Sequence, residues 1–308
     1  MPENIDMGSG NNEAMILVTG ATGHIGHEVC RLLTEARRQI LAVDLNQDKT
    51  QGVRACDLRS KSQISALLQD RSVRAVIHLA GILPSAVQSD PLTGADVNLS
   101  GSLELMRQSL AAGIQRFIFA SSMSVYGSLH AQRPVTEDDA VGPDEVYGAS
   151  KRLVELIGEC LSKKGAFEFV ALRIARVVGP GIKKTSSPWR SQIFEAVPQS
   201  ESIRIPFSPG AMLSLVHVED VARMLFTLVE APKVNSFVYN TPAEIWEVKE
   251  LKGLVEKLRG TRVELGPERA WAGPMCDGSR FAREFKFHLR ELRDHLSESA
   301  RIDRGSHA

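Results

Sequence analysis

Two rhythms of apolar and polar positions run along this chain, and the points where one replaces the other outline its elements. Short runs dense in aliphatic and β-branched residues recur: AMILVTG from Ala14, ILAVDL (40–45), GVRACDL (52–58), AVIHLAG (75–81), RFIFASS (116–122) and FEFVALRIA (167–175). They read as buried strands. Between them, HEVCRLLTEARR and the segments 61–69, 95–112 and 147–163 place apolar residues at helical spacing. Strand and helix in alternation predict right-handed crossovers and a doubly wound parallel sheet in an α/β protein. The pattern changes after Gly179, where GPGIKKTSSPWR is rich in Gly, Pro and Ser, and it returns to strand and helix over SLVHVEDVARMLFTLVE and SFVYNTP. We therefore expect a main domain from 14–180 with 215–243, and a smaller, discontinuous substrate-binding region from 181–214 with 244–308. Residues 1–13 are expected to form a disordered lead.

Composition narrows the function. With 308 residues and 43 % hydrophobic content, the chain can bury a large core on its own. Lys plus Arg number 37 and Asp plus Glu also 37, so no net positive field draws it to nucleic acid or to anionic lipid. Cys30, Cys56, Cys160 and Cys276 are far apart and form no C-x-x-C, which fits a reducing cytoplasm and suggests neither a disulfide framework nor zinc. The opening MPENIDMGSGNNE has no apolar core for a secretory signal, and no run of 18 apolar residues predicts a membrane span.

VTGATGHIG sets glycines at 20, 23 and 26 between a strand and a helix. Gly20 permits a tight turn, Gly23 lets backbone N–H groups approach a pyrophosphate, and Gly26 lets the helix pack on the strand. A bare strand-to-helix turn gives the same spacing. Asp44 adds to the argument, because it ends the second strand 24 residues after Gly20, where a carboxylate accepts hydrogen bonds from ribose hydroxyls and repels a 2′-phosphate. The expected cofactor is NAD, on a Rossmann-type sheet. Asp57 closes the third strand and suits either an adenine amino group or the cap of the next helix.

Tyr147 precedes Lys151 by four residues, one helical turn, so the two share a face if the segment is helical. At roughly 5 Å and an effective dielectric near ~20, an ammonium favours a phenolate by about 3 kcal/mol, which brings a phenol from ~10 to near ~8. That would make Tyr147 a general base at neutral pH. A solvated helix face shows the same spacing, but Ser121 and Ser122 end a predicted strand, where a parallel sheet presents side chains to its ligand crevice. Tyr126 has no lysine four residues on and reads as structural or substrate-lining.

Taken together, TGATGHIG, HLAG, SSMSVYG, YGASK, LRIARVVGPG and VHVEDVA resemble the extended short-chain dehydrogenase/reductase family, which contains NAD-dependent sugar-nucleotide epimerases and dehydratases. The resemblance runs from about Met15 to Asn240. It implies Tyr147 as base, Lys151 as the residue that acidifies it and binds the nicotinamide ribose, and Ser122 as catalytic hydroxyl. It further implies Gly20, Gly23, His24, Ile25 and Gly26 at the pyrophosphate, Asp44 at the ribose, Asp57 and Leu58 at adenine, Leu79, Ala80 and Gly81 beside the cofactor, and Asn98 organising the site. A homodimer built on the tyrosine helix is expected too; the apolar stripe in RLVELIGECL suits either a partner or the sheet.

The implied reaction is hydride transfer from a substrate C–H to nicotinamide while Tyr147 takes the hydroxyl proton. Dehydratases of the family carry Asp-Glu directly after the catalytic hydroxyl residue; here Met123 and Ser124 stand there, so an epimerase of the UDP-glucose 4-epimerase type, with Ser124 facing substrate, is the leading expectation. A dehydrogenase of a sugar, sugar acid or other secondary alcohol is the alternative, and a non-catalytic NAD sensor a third. Two departures bear on the substrate. Leu213 replaces an arginine that grips diphosphate four residues before His217, and Arg176 replaces an asparagine. Arg176 suits a substrate carboxylate or phosphate, or pairs like Arg173 with surface acids. Arg269 and Arg280 are candidate replacements for the diphosphate contact. His217 is expected to orient its loop, with Glu219 or Asp220 capping the helix; His78 is expected to be buried and hydrogen-bonded; no metal site is expected. Trp189, Trp246 and Trp271 line a sugar pocket or pack it.

Overall fold

The structure, a computed structural model, describes residues 14–50, 52–69, 72–129, 133–181, 187–198, 200–267 and 272–305. In chain order it runs β1 (Met15–Thr19), α1 (His24–Glu35), β2 (Ile40–Asp44), β3 (Arg54–Ala55), α2 (Lys61–Leu68) and β4 (Val73–His78). Next come α3 (Pro84–Ser89), α4 (Pro91–Ala95), a π-helical turn (Asp96–Gly101), α5 (Ser102–Ala111), β5 (Arg116–Ser122) and a 3₁₀ turn (Met123–Tyr126). Then follow α6 (Val146–Lys163), β6 (Glu168–Ile174), β7 (Arg176–Val178), α7 (Trp189–Gln192), β8 (Ile203–Ile205) and β9 (Met212–His217). The chain closes with α8 (Val218–Glu230), β10 (Val238–Asn240), β11 (Glu244–Glu247), α9 (Val248–Arg259), β12 (Val263–Leu265), α10 (Ser279–Phe285) and α11 (Leu292–Gly305).

Seven of these strands form one parallel sheet in the order β10-β6-β5-β4-β1-β2-β3. The order reverses at β1, between β4 and β2, and such a switch point opens a ligand crevice at the strands' carboxyl ends. Alternation along each strand supplies both faces. Ile16, Val18, Ile118, Val170 and Leu172 pack with Val29 and Leu33 of α1 and Val221 and Leu225 of α8. Leu17, Phe117, Phe119 and Phe169 turn the other way, onto Ile64 of α2, Leu105 of α5 and Val154 of α6. Period-two side chains buried on both faces are what a doubly covered sheet requires.

Two expectations need correction. The strand expected over 52–58 shrinks to Arg54–Ala55, because β2 offers only Val43 and Asp44 as partners before Asp48 and Val53 close an antiparallel bridge. The helix expected over 95–112 begins earlier and is broken. Pro84 and Pro91 start α3 and α4, Asp90 caps α4 by accepting from Thr93 N at 3.0 Å, and the π turn separates α4 from α5. Beside the main sheet, β9 pairs with β7 and β11 in a second, three-stranded sheet, which draws Arg176–Val178 away from the first. A separate core of Val178, Trp189, Leu213, Leu215, Val248 and Leu296 lies under that sheet.

Candidate active site

At the switch point the glycine loop has no room for a side chain at Gly20 or Gly26. Gly20 has φ +71°, and a Cβ there would lie 2.7 Å from Ala80 N; one on Gly26 would lie 2.0 Å from Gly20 O. Gly23 precedes α1 without a side-chain cap, and no acid occupies the first turn. The N–H groups and the positive end of a twelve-residue helix are left for an anion. The His24 ring lies 2.9 Å from Pro180 O, and burial lowers its pKa. Ile25 packs against the core. Asp44 accepts from Thr22 N at 2.9 Å, Thr22 Oγ1 at 2.7 Å and Leu45 N at 2.7 Å, which fixes the carboxylate beside the loop. Asp57 does not cap α2. Ser60 does, accepting from Gln63 N at 3.4 Å, while Arg59 holds Asp57 at 2.7 Å. Leu58 is buried against Gly101.

Beyond β4 the chain passes Leu79, Ala80 and Gly81. Leu79 N and Ala80 N donate to Thr19 O and Thr19 Oγ1, both at 3.2 Å. Buried His78 is bridged to Thr19 Oγ1 at 2.7 Å and Ser102 Oγ at 2.9 Å; burial, aided by the charge of Lys151, lowers its pKa to about 3. The π turn bulges Asn98 inward. Its amide accepts from Ile82 N at 2.7 Å and donates to Ile82 O at 2.9 Å, pinning the segment after Gly81. A Cβ added at Gly81 would stand 2.9 Å from Asn98 Oδ1 and 3.7 Å from Lys151 Nζ, so Asn98, Gly81 and Lys151 meet at one point.

Ser122 ends β5, and Tyr147 lies in the first turn of α6, which packs over that strand end. The two hydroxyls are hydrogen-bonded. Ser122 Oγ also accepts from Ser124 N at 3.1 Å, and Ser124 is hydrogen-bonded to Glu145. Lys151, 4 % exposed, donates to Ala120 O at 2.8 Å and stands 5.7 Å from the Tyr147 ring centre and 4.7 Å from that of Phe119. The electrostatics differ from the expectation. Burial pushes the Tyr147 phenol up to about 12, against the pull of Ser122, and lowers Lys151 to about 8. Desolvation outweighs the Ser122 hydrogen bond in the protein alone.

With this geometry in view, comparison with known proteins is decisive. Residues 16–240 match the model of the NAD dependent epimerase/dehydratase family. The chain belongs to that family. It is 28 % identical to the UDP-glucose 4-epimerase of Vibrio cholerae over 73 % of this chain and 69 % of that one, and 30 % identical to that of Erwinia amylovora over 82 % and 86 %. Other matches are partial; the UDP-glucose 4-epimerase of Lactobacillus helveticus, 29 % identical over 53 % of this chain, is spanned over about half its length, 52 %. Among solved structures, MoeE5 in complex with UDP-glucuronic acid and NAD superposes with TM-score 0.81 at 27 % identity, covering 95 % of this chain and all of the other, 100 %. L-threonine dehydrogenase from Phytophthora infestans reaches TM-score 0.87 at 19 % identity, over 96 % and 100 %, and shares the fold. NAD is the family's cofactor, and the chain is an NAD-dependent enzyme of the epimerase or dehydrogenase type. The glycine loop and the uncapped helix start fit a dinucleotide: Gly20, Gly23 and Gly26 would take its pyrophosphate and Asp44 its ribose.

Several family positions are not where the sequence suggested. Leu213, in place of the arginine, is fully buried in the second core, so its side chain has no access to substrate. Arg173 pairs with a buried acid rather than a surface one, forking onto Glu155 at 3.0 and 2.8 Å. Arg280 pairs with Asp138 at 2.5 Å and Glu137 at 3.5 Å. Arg269 and Trp271 lie outside the described residues. Trp189 packs edge-on against Phe207 in the second core, and Trp246 Nε1 donates to Glu244. Tyr126 is fully buried, bonded to Thr136 O, Asn240 and Arg173. His217, rather than Glu219 or Asp220, caps α8, accepting from Glu219 N at 3.4 Å. It stacks on His295 with ring centres 3.7 Å apart and planes 18° apart, and Glu219 stands 3.8 and 3.6 Å from the two rings. Nearly parallel rings do not share an in-plane point about 2 Å from both, so this trio is not set for a metal. Sequence reading missed Thr22, Thr19, Ser102 and His295. Only Thr22, two residues from Gly20 in the glycine turn, left a local signal.

Proposed function

We propose that the chain oxidises a secondary alcohol on a sugar or sugar nucleotide in the manner of a UDP-glucose 4-epimerase, with Tyr147 as base. What supports the reading is the meeting of Ser122, Tyr147 and Lys151 at the end of β5, next to Gly81 and Asn98. Bound NAD would supply the acceptor for the substrate's hydride and, in its oxidised form, a positive charge. Ser122 holds the substrate oxygen by hydrogen bond and shares the proton of Tyr147. Lys151, anchored on Ala120 O, keeps an ammonium near that ring and holds the nicotinamide ribose. Asp57 and Leu58 border adenine, Leu79, Ala80 and Gly81 flank the cofactor, His24 and Ile25 start the helix that faces pyrophosphate, and Ser124 faces substrate. Residues 181–214 and 244–308 form the substrate region.

A dehydrogenase that releases its reduced cofactor is the second reading, favoured by Leu213, whose burial leaves diphosphate without its customary arginine. The two separate cleanly. NAD that co-purifies and a product inverted at one carbon mark an epimerase; accumulating NADH and a ketone product mark a dehydrogenase. We place the protein in the cytoplasm as a homodimer on α6, where Leu153 and Leu156 are exposed while Val154 and Gly158 face the sheet. Sedimentation of the wild type against Leu153→Glu tests that, and a monomeric wild type would refute it. Among the described residues no helix is long and apolar enough to cross a membrane.

A further inference from the structure

Arg176 differs from three other sheltered arginines. Arg173, Arg74 and Arg116 each face a carboxylate, on Glu155, Glu230 and Glu168 respectively. Among the described residues no carboxylate pairs with Arg176. Its guanidinium lies 4.8 Å over the Phe207 ring and donates to Ala272 O at 2.9 Å, yet its buried Nε has no hydrogen-bond partner. Half-buried Arg190, from α7, adds a second positive charge that Arg176 feels. The same charge reaches His24 at the start of the glycine-loop helix. Holding a cation out of water without a counter-charge is unfavourable, and such an arrangement persists where a ligand completes it.

Position sets the scale. Ser122 is the register partner of Ile174, and Arg176 is two residues further along. At about 3.3 Å per residue its backbone is roughly 7 Å from that partner, about the breadth of one sugar ring. A side chain at that offset can reach an anion on the unit being oxidised.

We infer that Arg176, stacked on Phe207 and supported by Arg190, is a carboxylate subsite, so that the enzyme selects a substrate bearing a carboxylate on the same unit as the reacting hydroxyl. This rests on the reaction proposed above, and it names the substrate class: uronic acids, free or nucleotide-linked, and short hydroxy acids. A guanidinium offers the parallel pair of N–H donors that a carboxylate matches.

The test uses the full chain with NAD. UDP-glucuronate against UDP-glucose, glucuronate against glucose, and glucose 6-phosphate are compared by turnover and, separately, by calorimetric binding to the NAD-loaded protein. We expect the carboxylates to be favoured, and Arg176→Leu to weaken their binding and raise their KM by about 10- to 100-fold, with the loss of a charged hydrogen bond, while kcat falls less. Arg176→Lys should recover part of the affinity, and NAD should bind Arg176→Leu as it binds the wild type. Equal binding of acid and neutral partners, preference for the phosphate, or carboxylate binding unchanged in Arg176→Leu would overturn the subsite. Selective carboxylate binding without turnover would keep the subsite and refute the reaction instead.

Discussion

Tyr147 and Lys151 depart from their ordinary pKa values in opposite directions, up to about 12 and down to about 8, and burial is the leading cause of both. Each group is held in its neutral form more readily than in water. A lysine at about 8 rather than 10.5 makes its ammonium unfavourable for folding below that pH, by about 3 kcal/mol. Stability should therefore rise as pH goes from about 8 to about 10, since the unfolded chain still holds the proton that the folded one has released. Lys151→Met should keep its thermal stability at neutral pH, lose that rise in a denaturant titration, and lose activity; a strongly destabilised variant would contradict this. The four-residue spacing of the pair was legible in the sequence. The sign of the tyrosine shift was not, because Phe119 and Ala120, which surround Lys151, belong to another element.

At the scale of elements, the site is held by α6 against β5 and β6. Glu155, one turn beyond Lys151, is fully buried; it receives Ser121 at 2.5 Å, Arg152 at 3.0 Å and the fork of Arg173. This network clamps the helix carrying Tyr147 to the strand carrying Ser122. Removing one charge leaves the other stranded, so Glu155→Gln should lower stability by about 3–5 kcal/mol, measured by urea unfolding. The double variant Glu155→Met, Arg173→Met should recover much of that loss; no recovery would refute the pairing. In the sequence this stretch reads as an apolar stripe, because a buried acid is recognisable only from its partner, and Arg173 lies on another strand. Gly158 was equally mute: a Cβ there would meet the Phe169 ring at 2.4 Å, the close approach that seats the helix.

Across the whole molecule, two histidines couple stability to acid. Burial takes His78 to about 3 and His217 to about 2. Unfolded, each binds a proton near its ordinary value of 6.5, so stability is full above that pH and declines as pH falls below it. Urea unfolding between pH 7 and 5 should show a slope approaching two protons, reduced by about one in His78→Asn. A flat profile would contradict the burial. The parallel sheet was legible because its main strands are long apolar runs; the second sheet was not, because β7 and β11 have only 3 and 4 residues and draw their order from β9. The glycine loop was legible as a motif and is exacting as an object. Gly26→Ala should abolish NAD binding in calorimetry, since the added carbon would stand 2.0 Å from Gly20 O; retained affinity would contradict the cradle.

The most direct measurement is turnover and NAD affinity of Tyr147→Phe beside the wild type, across pH, on whichever substrate the panel identifies. Loss of the phenol should lower kcat by about 10²- to 10⁴-fold with NAD binding retained, and the wild-type profile should rise with pH along an acid limb that the variant lacks. Unchanged kcat and an unchanged limb in Tyr147→Phe would contradict the account, because the proton would then leave through another group.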